Sequence, residues 1–161
     1  MSYPDPVYKD GQGVVSATYR PAGAAAELAA PNGNRTHYLA KGTATNGAFG
    51  LYRVDMAPRA GGPATHFHRA ISESFFILGG TVRIYDGERW IDATEGDFVH
   101  VPQGGLHGFR NDADADASML LLFAPGAPRE EYFEKVAEAV HWSEEERAEF
   151  FIKHDTYWVA D

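Results

Sequence analysis

The stretch GGPATHFHRAISESFFILGG, residues 61–80, sets two histidines one residue apart, follows them with a glutamate, and closes on a run of aromatics and a glycine pair. Side chains alternate between the two faces of a strand, so His66 and His68 project to one side and Phe67 to the other. The segment RAIS after His68 is long enough for a turn. Beyond it, Glu73, Phe75 and Ile77 share one face of the next strand. Two imidazoles and a carboxylate from neighbouring strands can share a metal. A single strand histidine is ordinarily a surface or hydrogen-bonded residue, but this grouping is hard to reconcile with a core that buries polar groups to no purpose.

A second stretch, GDFVHVPQGGLHGFRN at residues 96–111, supplies another candidate, His107, behind a proline and glycines that suit a tight connection. Three histidines and one glutamate make a nitrogen and oxygen donor set for a divalent transition metal, with positions left for water, substrate or oxygen. The chain has no cysteine, so thiolate ligation and disulfides are excluded.

Working outward, residues 48–124 form a series of short strand-like runs separated by glycine turns, with no helical periodicity between them. That pattern predicts an all-β sandwich or barrel. Residues 1–47 read as an arm and early strands, with GVVSATY (13–19) and RTHYLA (35–40) strand-like. After PGAP (125–128) the period changes. Tyr132, Phe133, Val136 and Val140 recur at helical spacing, and Ser143 with Glu146 three residues on has the form of a capping box opening a second helix with Phe150, Phe151 and Ile152 on its apolar side. The two helices of residues 125–161 are expected to pack on the outside of the barrel. At 161 residues, one domain is the expectation.

The net charge of −9 is unevenly spread: +2 over residues 1–60, −5 over 61–127 and −6 over 128–161. Such a chain repels phosphate backbones, so nucleic acid is not an expected partner. No apolar run reaches the length needed to cross a bilayer, and MSYPDPVYKD lacks a basic and apolar leader, which gives a cytoplasmic expectation.

The segment from Gly62 to Gly80 resembles the first motif of the cupin family, in which a histidine pair, a glutamate and a glycine follow at fixed spacing: His66, His68, Glu73 and Gly80 match. The leading glycine of that motif is off register, with Ala60 in its place and Gly61 next. Gly96, Pro102, Gly104, His107 and Asn111 resemble the second motif in order. The resemblance implies a double-stranded β-helix, or jelly-roll barrel, with His66, His68, Glu73 and His107 binding one divalent metal (nickel, manganese, iron, cobalt, copper or zinc). The layout is similar to the single-barrel branch of the quercetin 2,3-dioxygenase-like proteins.

That branch implies a dioxygenase acting on a small aromatic or enolic molecule with O2, and Glu73 as both ligand and general base. A metal-dependent isomerase or aromatic polyketide cyclase, or a cupin that only binds a ligand, remains open. Phe49, Tyr52, Met56, Phe75 and Phe76 are candidates for an apolar substrate pocket, with plain barrel core as the competing role for each. Arg53 is a candidate anion partner, against an outward salt bridge. His37, His141 and His154 lie outside the motifs and read as surface or packing residues, and His100 as barrel wall. Barrels with exposed edge strands often pair, so a homodimer is expected.

Overall fold

The computed structural model describes residues 2–159. In chain order its elements are β1 (Leu28–Ala29), β2 (Arg35–Ala40), β3 (Gly50–Met56), β4 (His66–Phe67), β5 (Ser72–Gly79), β6 (Thr81–Tyr85), β7 (Trp90–Thr94), β8 (Phe98–Val101), β9 (Gly108–Arg110), β10 (Ala117–Ala124), α1 (Glu130–Lys135), a 3₁₀ helix (Val136–His141), α2 (Glu144–Lys153) and β11 (Tyr157–Trp158). No helix among the described residues is long and apolar enough to cross a membrane.

Strict alternation in β3 and β10 builds the core. Tyr52, Val54 and Met56 from one strand and Met119, Leu121 and Phe123 from the other point inward, while the residues between them are half-buried on the opposite face. These strands lie at the centre of a six-stranded sheet in the order β1-β2-β3-β10-β5-β8, antiparallel throughout. A three-stranded sheet, β7-β6-β9, contributes Val82 and Ile84 to the same core. A short β4-β11 pair forms a third sheet. The fold is the jelly roll that the resemblance implies, with hydrogen-bond ladders in three sheets rather than one unbroken ring. Each fully buried aliphatic or aromatic side chain contributes about 1.5–3 kcal/mol through its burial.

Two motif glycines are fixed by close approach. A Cβ at Gly80, whose φ is +71°, would sit 2.4 Å from the carbonyl oxygen of Asp116. One at Gly62 would lie 2.0 Å from that of Phe109, so Gly62, rather than Gly61, is the glycine this corner demands. Asn111 of the second motif is fully buried and saturated: its Nδ2 donates to Ala57 O and Ala115 O, and its Oδ1 accepts from Ala113 N.

Three expectations change. GVVSATY forms no strand; Val14, Val15 and Tyr19 are exposed with no sheet partner, and β propensity without a surface to pack on does not make a strand. The first C-terminal helix tightens from α to 3₁₀ at Val136, which turns Ala139 inward and leaves Val140, expected on the apolar face, exposed. Ile152 is likewise exposed. The capping box forms as expected: Ser143 Oγ accepts from Glu146 N at 3.2 Å, and Glu146 Oε2 accepts from Ser143 N at 2.8 Å.

Candidate metal centre

Four buried side chains, His66, His68, Glu73 and His107, offer ligand atoms that all lie within 4.8 Å of one another. Local structure places each of them. His66 and His107 face each other across a two-way backbone bridge, each N–H donating to the other's carbonyl at 2.9 Å. Glu73 points inward from β5 beside Phe75 and Ile77. His68 sits just past β4, and its carbonyl accepts from Gly104 N at 2.7 Å, tying the first motif to the second.

The hydrogen bonds set the tautomers. His66 Nδ1 donates to Ala64 O and His107 Nδ1 to Gly105 O, both at 2.9 Å, and His68 Nδ1 donates to Asp155 O. A carbonyl only accepts, so each Nδ1 carries the proton and each Nε2 is left as the inward lone pair, as a metal ligand requires. His107 Nε2 lies 2.9 Å and His68 Nε2 3.2 Å from the same oxygen, Glu73 Oε2. For either contact to be a hydrogen bond, that imidazole must hold a second proton. Rings with centroids 4.2–5.2 Å apart cannot all do so.

Burial and the neighbouring His107 push the His66 pKa down to about 3. Burial alone would raise the Glu73 carboxyl, but the imidazoles of His107 and His68 more than reverse this and hold it well below the usual range. Glu73 in turn outweighs burial at His107 and raises it. The cluster thus wants one shared positive charge at its centre, and a single metal ion supplies that charge while satisfying all four donors. The donor set fits one metal ion.

One supporting residue has no signature in the sequence. Asp155, at φ +52°, presents its carbonyl to His68, while its carboxylate accepts from the consecutive amides of Arg69, Ala70 and Ile71 at 2.7–3.2 Å. The turn between the histidine pair and Glu73 is therefore held by the C-terminal segment.

A cavity of about 850 Å³ opens beside His66 and Glu73. One wall is sheet, including Val54, Phe109, Leu121 and Phe123, and the other is Tyr132, Phe133 and Phe151 of the C-terminal helices, which sit outside the barrel. None of the five expected pocket residues lines it. Phe49 and Phe76 are partly exposed on the outer surface, Phe76 because it follows the inward Phe75 in a strand. Tyr52, Met56 and Phe75 are fully buried core, and Tyr52 Oη donates to Glu130 at 2.6 Å.

Arg53 makes an outward ion pair with Asp55 beside His37. His100 is on the outer face, bonded to Ser74 Oγ. His141 is exposed, and His154 packs on Phe150 and Tyr132.

Fold and centre together define a jelly-roll protein with a three-histidine, one-carboxylate site inside. Residues 52–123 match the cupin domain. It is 28% identical over 82 residues to quercetin 2,3-dioxygenase of Bacillus subtilis, a match covering 51% of this chain and 24% of that protein. The chain thus spans about a quarter of the length of that curated relative.

Among solved structures, the polyketide cyclase RemF from Streptomyces resistomycificus superimposes with a TM-score of 0.56 at 18% identity, covering 71% of this chain and 82% of the other. A sugar phosphate isomerase of the cupin superfamily from Silicibacter pomeroyi superimposes with a TM-score of 0.52 at 25% identity, covering 65% and 67%.

Proposed function

We propose that this chain is a metal-dependent enzyme that cleaves an enolic or phenolic aromatic molecule, such as a flavonol, with dioxygen as co-substrate. The observation that carries the reading is that His66 and Glu73 line a largely apolar cavity of about 850 Å³, a size and lining suited to a multi-ring aromatic ligand. The likeness of residues 52–123 to a cupin domain and the match to quercetin 2,3-dioxygenase support it.

His66, His68, Glu73 and His107 would hold one divalent transition metal, which as a Lewis acid favours the ionised form of an enol or phenol. Glu73 faces the cavity as a carboxylate and takes the hydroxyl proton. The Nδ1 bonds of the three histidines fix their rings, so the donor atoms need no reorganisation when substrate arrives. Phe123 and Phe133 exclude water from the ionised oxygen, keeping it electron-rich towards dioxygen.

Oxygen consumption by the metal-loaded protein with quercetin, followed by product analysis, tests the reading. Uptake with ring cleavage is the expected result. Turnover of a phenolic polyketide without oxygen uptake would replace it with a cyclase or isomerase, and binding without any product would leave a ligand-binding cupin. Glu73→Gln is expected to keep appreciable metal, read by elemental analysis, and to lose turnover by about 10²–10⁴-fold; unchanged turnover removes its role as base.

A further inference from the structure

Arg129 is the anomaly of the cavity. It opens α1 as the N-cap residue, where the positive end of the helix disfavours a cation, and it makes no side-chain cap bond. It is only 3% exposed, yet no carboxylate lies within ion-pair distance of it among the described residues. Nη1 donates to His154 O and is 3.5 Å from Thr156 Oγ1, whereas Nε is buried with no partner at all. The guanidinium lies 4.1 Å from the ring centroid of Tyr132, 5.2 Å from that of Phe123 and 5.8 Å from that of Phe133.

Three aromatic faces lessen the penalty of burying a cation but do not neutralise it. The same guanidinium lines the cavity together with His66 and Glu73. The charged side chains lining that cavity are Glu73, Arg129 and Arg147, the last exposed on α2. Since Glu73 belongs to the candidate ligand set of the metal centre, the charge left to meet a ligand is positive, in a chain whose net charge is −9.

We propose that Arg129 is an anion-binding residue of this cavity, and that the natural ligand is an acid: an aromatic or otherwise apolar body bearing a carboxylate that pairs with Arg129 while its other end faces the His66 and Glu73 side. This deepens the functional reading above and rests on the same cavity, but not on oxygen chemistry. A guanidinium with a free Nε–H offers a carboxylate a charge-assisted bond that a neutral amide of the same shape cannot match. The cage that holds the guanidinium in place means little side-chain freedom is lost when the anion binds.

The test is binding rather than turnover, so it can fail while the dioxygenase reading stands, and the reverse. The full chain is loaded with zinc, which is redox-inert, and titrated calorimetrically with 2-naphthoate and with 2-naphthamide. The wild type is expected to prefer the carboxylate by at least about tenfold. Arg129→Gln is expected to lose that preference and Arg129→Lys to keep part of it, with zinc content and melting temperature measured alongside.

Absence of a preference in the wild type overturns the proposal. So does a preference undiminished in Arg129→Gln, since the metal alone would then be reading the charge. Arg129 also holds the carbonyl of His154, so a variant that fails to fold is replaced by a measurement on the wild type. The Arg129 Nε–H resonance of the labelled protein should move on titration with 2-naphthoate and stay in place with 2-naphthamide, and a resonance indifferent to both overturns the assignment.

Discussion

His66 and His107 are oriented by their own neighbourhoods, and His68 is not. The first two each donate Nδ1–H to the carbonyl two residues back, at Ala64 and Gly105, and the two residues bridge each other directly through their backbones. His68 donates instead to Asp155, eighty-seven positions along the chain, on the loop between α2 and β11. Chemically the three imidazoles are equivalent ligands; mechanically they belong to two structures, a barrel that holds two of them and a C-terminal cap that holds the third. The cap also walls the cavity. The segment that orients His68 is therefore also the one that walls the cavity.

The strongest break falls on the barrel side. The double variant His66→Ala/His107→Ala removes both locally held ligands, and metal content read by elemental analysis is expected to drop from about one divalent ion per chain to almost none. Full occupancy in that variant would refute the site.

A smaller effect is expected on the cap side. Asp155→Ala removes no ligand, but it frees the amides of Arg69, Ala70 and Ile71 and loosens the carbonyl that orients His68. Loss of such an outer partner weakens metal binding by about 10–100-fold, measurable by competition with a chelator. If Asp155→Ala binds metal as tightly as the wild type, the cap is not needed to hold His68, and the contrast between the two structures dissolves.

The same division explains what could be read from the sequence. The barrel half announces itself because its information is local: alternation places His66 with His68 and Glu73 with Ile77, and the glycines at 62 and 80 mark corners where a Cβ would strike a backbone carbonyl. The cap half does not, because its contacts are long-range. Nothing near Asp155 in the sequence points to residues 69–71, and Arg129 reads as one more charge on an acidic helical tail until it is found buried against Tyr132 and Phe123.

The apolar candidates Phe49, Tyr52, Met56, Phe75 and Phe76 do not line this cavity for the same reason. Aromatics on barrel strands invite a pocket, but Tyr52 and Phe75 are used up in the core, and the cavity is completed by Tyr132 and Phe133 from helices that periodicity could place only on the outside.

The gentlest probe of the cap is acid. Glu131 on α1 accepts from Lys135 at 2.9 Å and from Lys153 of α2 at 2.6 Å, so one carboxylate joins the two helices that precede Asp155. Those hydrogen bonds lower its pKa from 4.5 to about 2. Between these values the unfolded chain binds more protons at this group than the folded one, so its contribution is complete above pH 4.5 and is lost as the pH falls towards 2. The group lies at the surface, where solvent and salt screen the pairs, so the contribution is small.

Glu131→Gln is accordingly expected to melt slightly below the wild type at pH 7, with the gap closing in high salt and on acidification through pH 4. Metal affinity at pH 7 is the sharper readout. If helix docking by Glu131 reaches His68 through Asp155, Glu131→Gln weakens metal binding in the same direction as Asp155→Ala but by much less. A melting difference with no change in affinity would show instead that Asp155 fixes His68 without help from the helices.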